Sequence, residues 1–254
     1  MGDKVFVAGA TGAVGTALIP LLVEAGHTVY GGTRRADRAA ALEASGATPV
    51  VVDVFDAQAL RDAMVRIAPT VVIHQLTDLP ATLDPALMAE AVVRNARVRI
   101  EGTRHLVAAA QAAGAKQMIA QSIAWAYAPG PTPHTEDDPL DLGAEGGRRI
   151  SIDGVVALER SVRGVLSDTG LTGTVLRYGQ LYGPRTSNAQ PKGASPVHVE
   201  AAAWAALLAM RHARGGVFNI AEDNPEISSE KARRELGWHP ALRLSQAAMQ
   251  AVAS

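Results

Sequence analysis

Gly9, Gly12 and Gly15 are spaced G-x-x-G-x-x-G, between an apolar run VFVAGA (5–10) and a helical run AVGTALIPLLVEAG (13–26). That context suits a pyrophosphate: Gly9 permits a tight turn, Gly12 lets backbone approach the phosphates, and Gly15 lets helix and strand pack closely. The helix N-terminus behind them offers free N–H groups and a positive dipole end. At the end of the next strand-like run, VYGGTRR, a protein that prefers NAD would carry an acid for the ribose 2′-OH. This chain has Thr33, Arg34 and Arg35 instead. Guanidinium groups suit a 2′-phosphate, so the sequence predicts a preference for NADP over NAD. The plain alternative is a pair of exposed arginines, though cations at a helix start oppose its dipole. Asp53, after a third apolar run, could accept from an adenine amino group or serve as an N-cap or loop residue.

These groups must be held by regular elements. Apolar runs at 5–10, 27–32, 48–53, 70–74, 116–122, 172–177 and 217–221 predict strands. Helical spacing marks 13–26, 37–46, 56–67, one long helix over 85–113, 148–168 and 199–213. Two short helices are expected at the C-terminal end. Strand–helix alternation with continuously apolar strands implies βαβ units and a parallel sheet covered on both faces. The expected fold class is α/β, a Rossmann-type doubly wound parallel sheet with a small C-terminal cap. The chain reads as a single domain, 1–254, in which 178–254 contributes that cap. Segments 129–147 and 183–196 read as loops.

Bulk properties narrow the partners. The chain of 254 residues has a formal net charge of −1, so it presents no basic field for nucleic acid or an anionic membrane. It has no cysteine, which excludes disulfides, thiol nucleophiles and Cys-ligated zinc. The N-terminal residues lack a basic stretch followed by a long apolar core, and no apolar run reaches the length of a membrane span. The expectation is a soluble cytoplasmic protein acting on a small molecule.

With these signals in place, the chain resembles the extended short-chain dehydrogenase/reductase superfamily, in its NAD-dependent epimerase/dehydratase branch. The matching pieces are VFVAGATGAVG, VVVDVFD, VVIHQLTD, RIEGTRHLVAAAQAAGAKQMIAQS, LRYGQLYGP, VHVEAAAWAALLA, VFNIAED and EKARRELGWHP. The resemblance implies pyrophosphate contacts at Gly9, Thr11, Gly12, Ala13, Val14 and Gly15. It puts the 2′-phosphate on Arg34, with Thr33 and Arg35 beside it, and adenine near Asp53 and Val54. Gln75, Leu76 and Thr77 would lie along the nicotinamide ribose, Gly179, Gln180 and Leu181 at the nicotinamide end, and Gln121 is a further expected cofactor contact. A homodimer through the helices near 85–113 and 148–168 is implied as well.

The departures concern chemistry. The family uses a Ser or Thr, a Tyr, and a Lys four residues after that Tyr; the ammonium lowers the phenol's pKa so that it exchanges a proton with a carbonyl or alcohol. A Glu usually follows four residues after the Lys. Setting that Glu on Glu159 puts Ser151 at the Tyr position and Val155 at the Lys position. In QSIAWAY (121–127) the usual catalytic hydroxyl position is Ile123, one residue past Ser122. Ser122 and Tyr127 are the expected catalytic substitutes. Residues 183–196 also stand where larger members carry an extended substrate insert, which argues against nucleotide-sugar substrates.

His134, Glu136, Asp137 and Asp138 cluster in the proline-rich loop but fit no standard metal spacing, so no metal site is expected. His74 and Tyr178 read as structural, and His198 is assigned no role. The leading expectation is an atypical NADP(H)-dependent oxidoreductase acting on a small carbonyl or alcohol. A non-catalytic NADP-binding sensor or partner-binding protein, and a non-redox lyase, isomerase or cyclase, stand as alternatives.

Overall fold

A computed structural model describes residues 2–80, 85–164 and 170–245. Its main sheet has seven strands: β1 (Lys4–Ala8), β2 (Thr28–Thr33), β3 (Thr48–Val51), β4 (Val71–His74), β5 (Gln117–Ile123), β6 (Thr172–Tyr178) and, last in the chain, β9 (Gly216–Ile220). The order across the sheet is β3-β2-β1-β4-β5-β6-β9, and every neighbouring pair is parallel. The chain winds outward from β1 to β3, then crosses back to lay β4 on the other side of β1. That reversal opens a crevice beyond the carboxyl ends of β1 and β4, where doubly wound sheets bind ligands.

Alternation along β1 shows why both faces are buried. Val5 and Val7 point into one core with Val14, Leu18 and Leu22 of α1 (Ala13–Glu24). Phe6 and Ala8 point into the other, with Leu60 and Met64 of α3 (Ala57–Ile67) and Leu106 of α5 (Thr103–Ala112). The first core also takes α7 (Val199–His212), an alanine-rich helix that packs beside α1; the second takes Leu158 and Val162 of α6 (Gly146–Arg163). Short α2 (Ala39–Ala44) adds Leu42 to the first layer.

The segment predicted as one helix over 85–113 is α4 (Pro85–Arg97), a π-helical stretch Val98–Gly102, and α5. The extra residue per turn re-aims the side chains of the π stretch, a feature frequent at functional sites. The segment from 178 onward does more than cap: β9 and α7 complete the main layers. A separate two-stranded ribbon, β7 (Gln180–Tyr182) with β8 (Pro196–His198), borders the predicted loop 183–196. Of the two expected C-terminal helices, one corresponds to turns ending in a π-helical stretch at Ala232–Leu236; residues 246–254, and 165–168 of the predicted helix 148–168, lie outside the described residues. Among the described residues, no helix is long and apolar enough to cross a membrane.

Candidate active site

The crevice at the carboxyl ends of β1, β2 and β4 is lined by Gly9, Thr11, Gly12, Thr33, Arg34, Arg35, Asp53, Val54, Gln75, Leu76 and Thr77. Most of the expected cofactor contacts thus meet in one cleft. Ala13, Val14 and Gly15 form the first turn of α1 behind it. Gln121, Gly179, Gln180 and Leu181 lie at the ends of β5, β6 and β7, and are not part of this lining.

The glycine loop leaves no room for side chains. Gly9 has φ +83°, and a Cβ there would sit 2.6 Å from the Gln75 carbonyl oxygen. A Cβ on Gly15 would lie 2.3 Å from the Gly9 carbonyl oxygen. Gly12 is the N-cap of α1 and has no side chain to bond the first-turn N–H groups, so those donors are left for an anion. This cradle, which a Cβ would fill, fits the pyrophosphate of a dinucleotide.

At the next strand end the two arginines differ. Arg35 pairs with Asp37 at 2.5 Å, while Arg34 makes no ion pair among the described residues. The Thr33 hydroxyl oxygen accepts from the Arg35 N–H at 3.1 Å and orders the turn. Asp53 accepts from the Phe55 N–H at 2.9 Å, a local turn bond that leaves its second carboxylate oxygen available. Asp56, not Asp53, caps α3. Phe55 and Asp78 also line the cleft, and sequence reading missed both. Phe55 is held under the Arg97 guanidinium at 4.0 Å; the only sequence signal was its place two residues after Asp53.

His74 closes β4 in full burial. Its Nδ1 accepts from the Leu76 N–H at 3.2 Å, which fixes the neutral ring with Nε2–H directed at the Thr103 hydroxyl, 3.0 Å away. Burial, and then the Arg99 charge, push its pKa down to about 4. Gln75 donates to the Tyr178 hydroxyl at 3.3 Å, and burial pushes the Tyr178 phenol well up from its ordinary value.

The hydroxyls expected to do chemistry are hydrogen-bonded within the protein. Ser122 donates to Glu159 Oε1 at 2.8 Å. Arg177 donates Nε to the same oxygen at 2.9 Å and Nη2 to Oε2 at 2.7 Å, forming a buried bidentate pair. The third arginine nitrogen donates to the Tyr127 hydroxyl at 2.8 Å, and that hydroxyl donates to Asn219 Oδ1 at 2.6 Å. Tyr127 is further packed by a stacked His134 ring, with centroids 4.9 Å apart. Burial pushes its phenol pKa up, against the pull of Arg177. Both hydroxyl protons are therefore committed to buried acceptors, and neither residue lines the cleft. Ser151 is half-buried on α6, and Val155 is fully buried among Ala126, Ala144 and Ile152.

The acidic loop cluster is also used internally. Glu136 accepts from the Asn219 N–H at 2.7 Å and Asp138 from the Thr135 N–H at 2.7 Å. Among the described residues, no group of three His, Cys, Asp or Glu side chains is placed to hold a metal.

Comparison with known proteins bears on this site. The profile of the NAD dependent epimerase/dehydratase family matches residues 5–203. A Streptomyces protein named 3-diazoavenalumate denitrifying reductase is 39% identical over 248 residues, covering 89% of this chain and 78% of its own length. A UDP-N-acetyl-alpha-D-glucosaminuronate decarboxylase of Bacillus cytotoxicus is 27% identical, covering 80% of this chain and 62% of its own. Among solved structures, a UDP-glucose 4-epimerase of Thermotoga maritima superposes with a TM-score of 0.75 at 19% identity, covering 98% of this chain and 97% of its own. The Bordetella bronchiseptica enzyme WbmG, solved with NAD, gives 0.72 at 19% identity, covering 100% and 94%.

Proposed function

The chain belongs to the NAD dependent epimerase/dehydratase family, and from that premise we propose that it is an NADP(H)-dependent reductase whose substrate needs no proton from the protein. Gly9, Gly12 and the α1 N-terminus would hold the pyrophosphate, and Arg34, open at the end of β2, would hold a 2′-phosphate. When bound, that cofactor supplies a hydride.

The observation that carries the reading is the saturation of the Ser122 and Tyr127 hydroxyls by Glu159 and Asn219. In the register set by Glu159, Ser151 and Val155 stand where the family keeps its Tyr and Lys. A ketone or aldehyde being reduced must gain a proton on oxygen as well as hydride on carbon. An arenediazonium that exchanges its nitrogen for hydride releases N2 and takes up no proton. The relative named as a diazo-compound reductase supports that substrate class. A small carbonyl or alcohol, expected from the sequence, is the second reading.

Stopped-flow absorbance at the nicotinamide band decides between them. With benzenediazonium, NADPH should be consumed faster than in a protein-free control, with N2 released one for one, and aldehydes and ketones should give no turnover. Turnover of carbonyls alone would return the chain to carbonyl chemistry. Tight NADPH binding without turnover of either would favour the sensor.

A further inference from the structure

The fold buries two guanidinium groups and treats them differently. Arg177, on β6, has its donors taken by Glu159 and Tyr127. Arg99, in the π-helical stretch between α4 and α5, is 8% exposed as a residue, yet its only hydrogen bond among the described residues runs from Nη1 to the Ser151 carbonyl oxygen at 3.5 Å, the outer limit for such a bond. No carboxylate of the described residues pairs with it. A guanidinium has five N–H donors; among the described residues no Arg99 nitrogen is both sealed from solvent and unbonded, so its remaining donors face accessible space and are free to take a ligand.

The surrounding chain is shaped to admit this side chain. Gly154 of α6 faces it, and a Cβ there would lie 3.3 Å from Arg99 Cδ and 3.2 Å from Ala96 Cα. The missing side chain at 154 lets α6 close on the π stretch with the arginine stem between them. The next residue, Val155, is apolar and fully buried, so α6 brings no cation of its own to this place. Val98, adjacent to Arg99, lines the cleft; Arg99 itself lies behind that lining. The charge is felt by His74 at the end of β4 and interacts with Glu159 beneath β5. Arg99 is thus near His74, the last residue of β4 and the one before Gln75 of the cleft lining, and near Glu159 of α6. Burial pulls its pKa down to about 10, with Glu159 acting the other way, so the group stays charged at neutral pH.

We propose that Arg99 is the substrate-anion residue of this site and takes a carboxylate of the substrate as its bidentate partner. A planar carboxylate matches the guanidinium fork and supplies the acceptors that the protein withholds. The assignment rests on the reductase reading only in taking this end of the cleft as the substrate end.

The test uses benzoate and its neutral isostere benzamide, titrated by ligand-observed NMR into the full chain with and without saturating NADP+. Benzoate should bind at least about tenfold more tightly than benzamide, as one charge-assisted bidentate contact would give. Arg99→Gln should abolish that ratio, and Arg99→Lys should keep part of it. Equal affinities in the wild-type protein would overturn the proposal even if the variants failed to fold. So would an unchanged ratio in a folded Arg99→Gln protein, or a loss confined to NADP+ affinity, which would give Arg99 to the cofactor. A separate NADP+ titration reads the proposed function: absent NADP+ binding would sink that function, while a benzoate preference in the cofactor-free protein would still support the anion site.

Discussion

At the glycine loop, the first-turn N–H groups of α1 have no side-chain cap, and Arg34 projects without an ion-pair partner among the described residues. Around α6, by contrast, Ser122, Glu159, Arg177, Tyr127 and Asn219 hydrogen-bond one another in full burial. The two regions share one sheet edge. A site built to bind a polar ligand keeps donors unsatisfied until the ligand arrives, because each donor already paired must be pulled away at a cost. A site built to hold the fold does the reverse. The cleft half of this edge has the first character and the α6 half the second, so nucleotide binding and proton transfer have separate prospects in the same scaffold.

The strongest way to break the comparison is to open the α6 network. Glu159→Ala leaves the Arg177 guanidinium buried without its carboxylate, and breaking one partner of such a pair costs about 3–5 kcal/mol. Urea unfolding should show a loss of that order. A loss below about 1 kcal/mol would mean that water reaches Arg177 and that the network does not hold the fold.

The cleft side should respond in affinity and keep its stability. Arg34→Ala should reduce the preference for NADPH over NADH by roughly 10- to 100-fold, the worth of a charge-assisted contact of about 1.5–3 kcal/mol, with an unchanged melting temperature. Equal affinities for the two cofactors in the wild-type protein would sink the 2′-phosphate assignment.

His74 lies between the two regions and sharpens the boundary through pH. Its folded-state pKa is lowered to about 4 by burial first and Arg99 second, against an ordinary value of 6.5. As pH falls below 6.5 the unfolded chain takes up a proton that the folded chain refuses. The stabilising contribution of the neutral ring is therefore complete above that pH and lost progressively as pH falls towards 4. At about 1.4 kcal/mol per unit, the wild-type protein should lose roughly 2 kcal/mol relative to His74→Asn between pH 7.5 and pH 5, measured by urea unfolding of both. Parallel pH profiles would show that water or a shift in packing lets the ring charge in place.

What the sequence made readable was local or periodic. The glycine spacing, the alternation in β1 and the stop at Gly26, where φ is +83°, are all set within a few residues. The cleft followed, because a strand–loop–helix order at β1, β2 and β3 places Gly9, Arg34 and Asp53 on one edge. The α6 network joins residues 18 to 92 positions apart in the chain. Arg177 read as the last residue of a strand, with nothing nearby to name Glu159 as its partner. Ser122 and Tyr127 looked available for chemistry because their acceptors, Glu159 and Asn219, come from other elements. The π stretch was hidden for a related reason: 85–113 keeps a helical apolar pattern throughout, and one extra residue in a turn leaves no local signature. The strands β7 and β8, three residues each, are too short to carry a period.

The smallest effect bears most directly on the proposed chemistry. Ser122→Ala removes one of the two donors to Glu159 Oε1 and leaves the bidentate arginine in place. The cost should be roughly 1 kcal/mol of stability, since Glu159 keeps its charge partner. If the Ser122 proton serves only that carboxylate, turnover of a diazonium substrate should stay within a few-fold of wild type, with a flat pH profile from 6 to 9. A folded Ser122→Ala protein slowed by a hundredfold, its rate now dependent on pH, would mean that the hydroxyl leaves Glu159 during turnover and hands its proton to the substrate. The α6 half of the sheet edge would then be a catalytic relay held closed at rest.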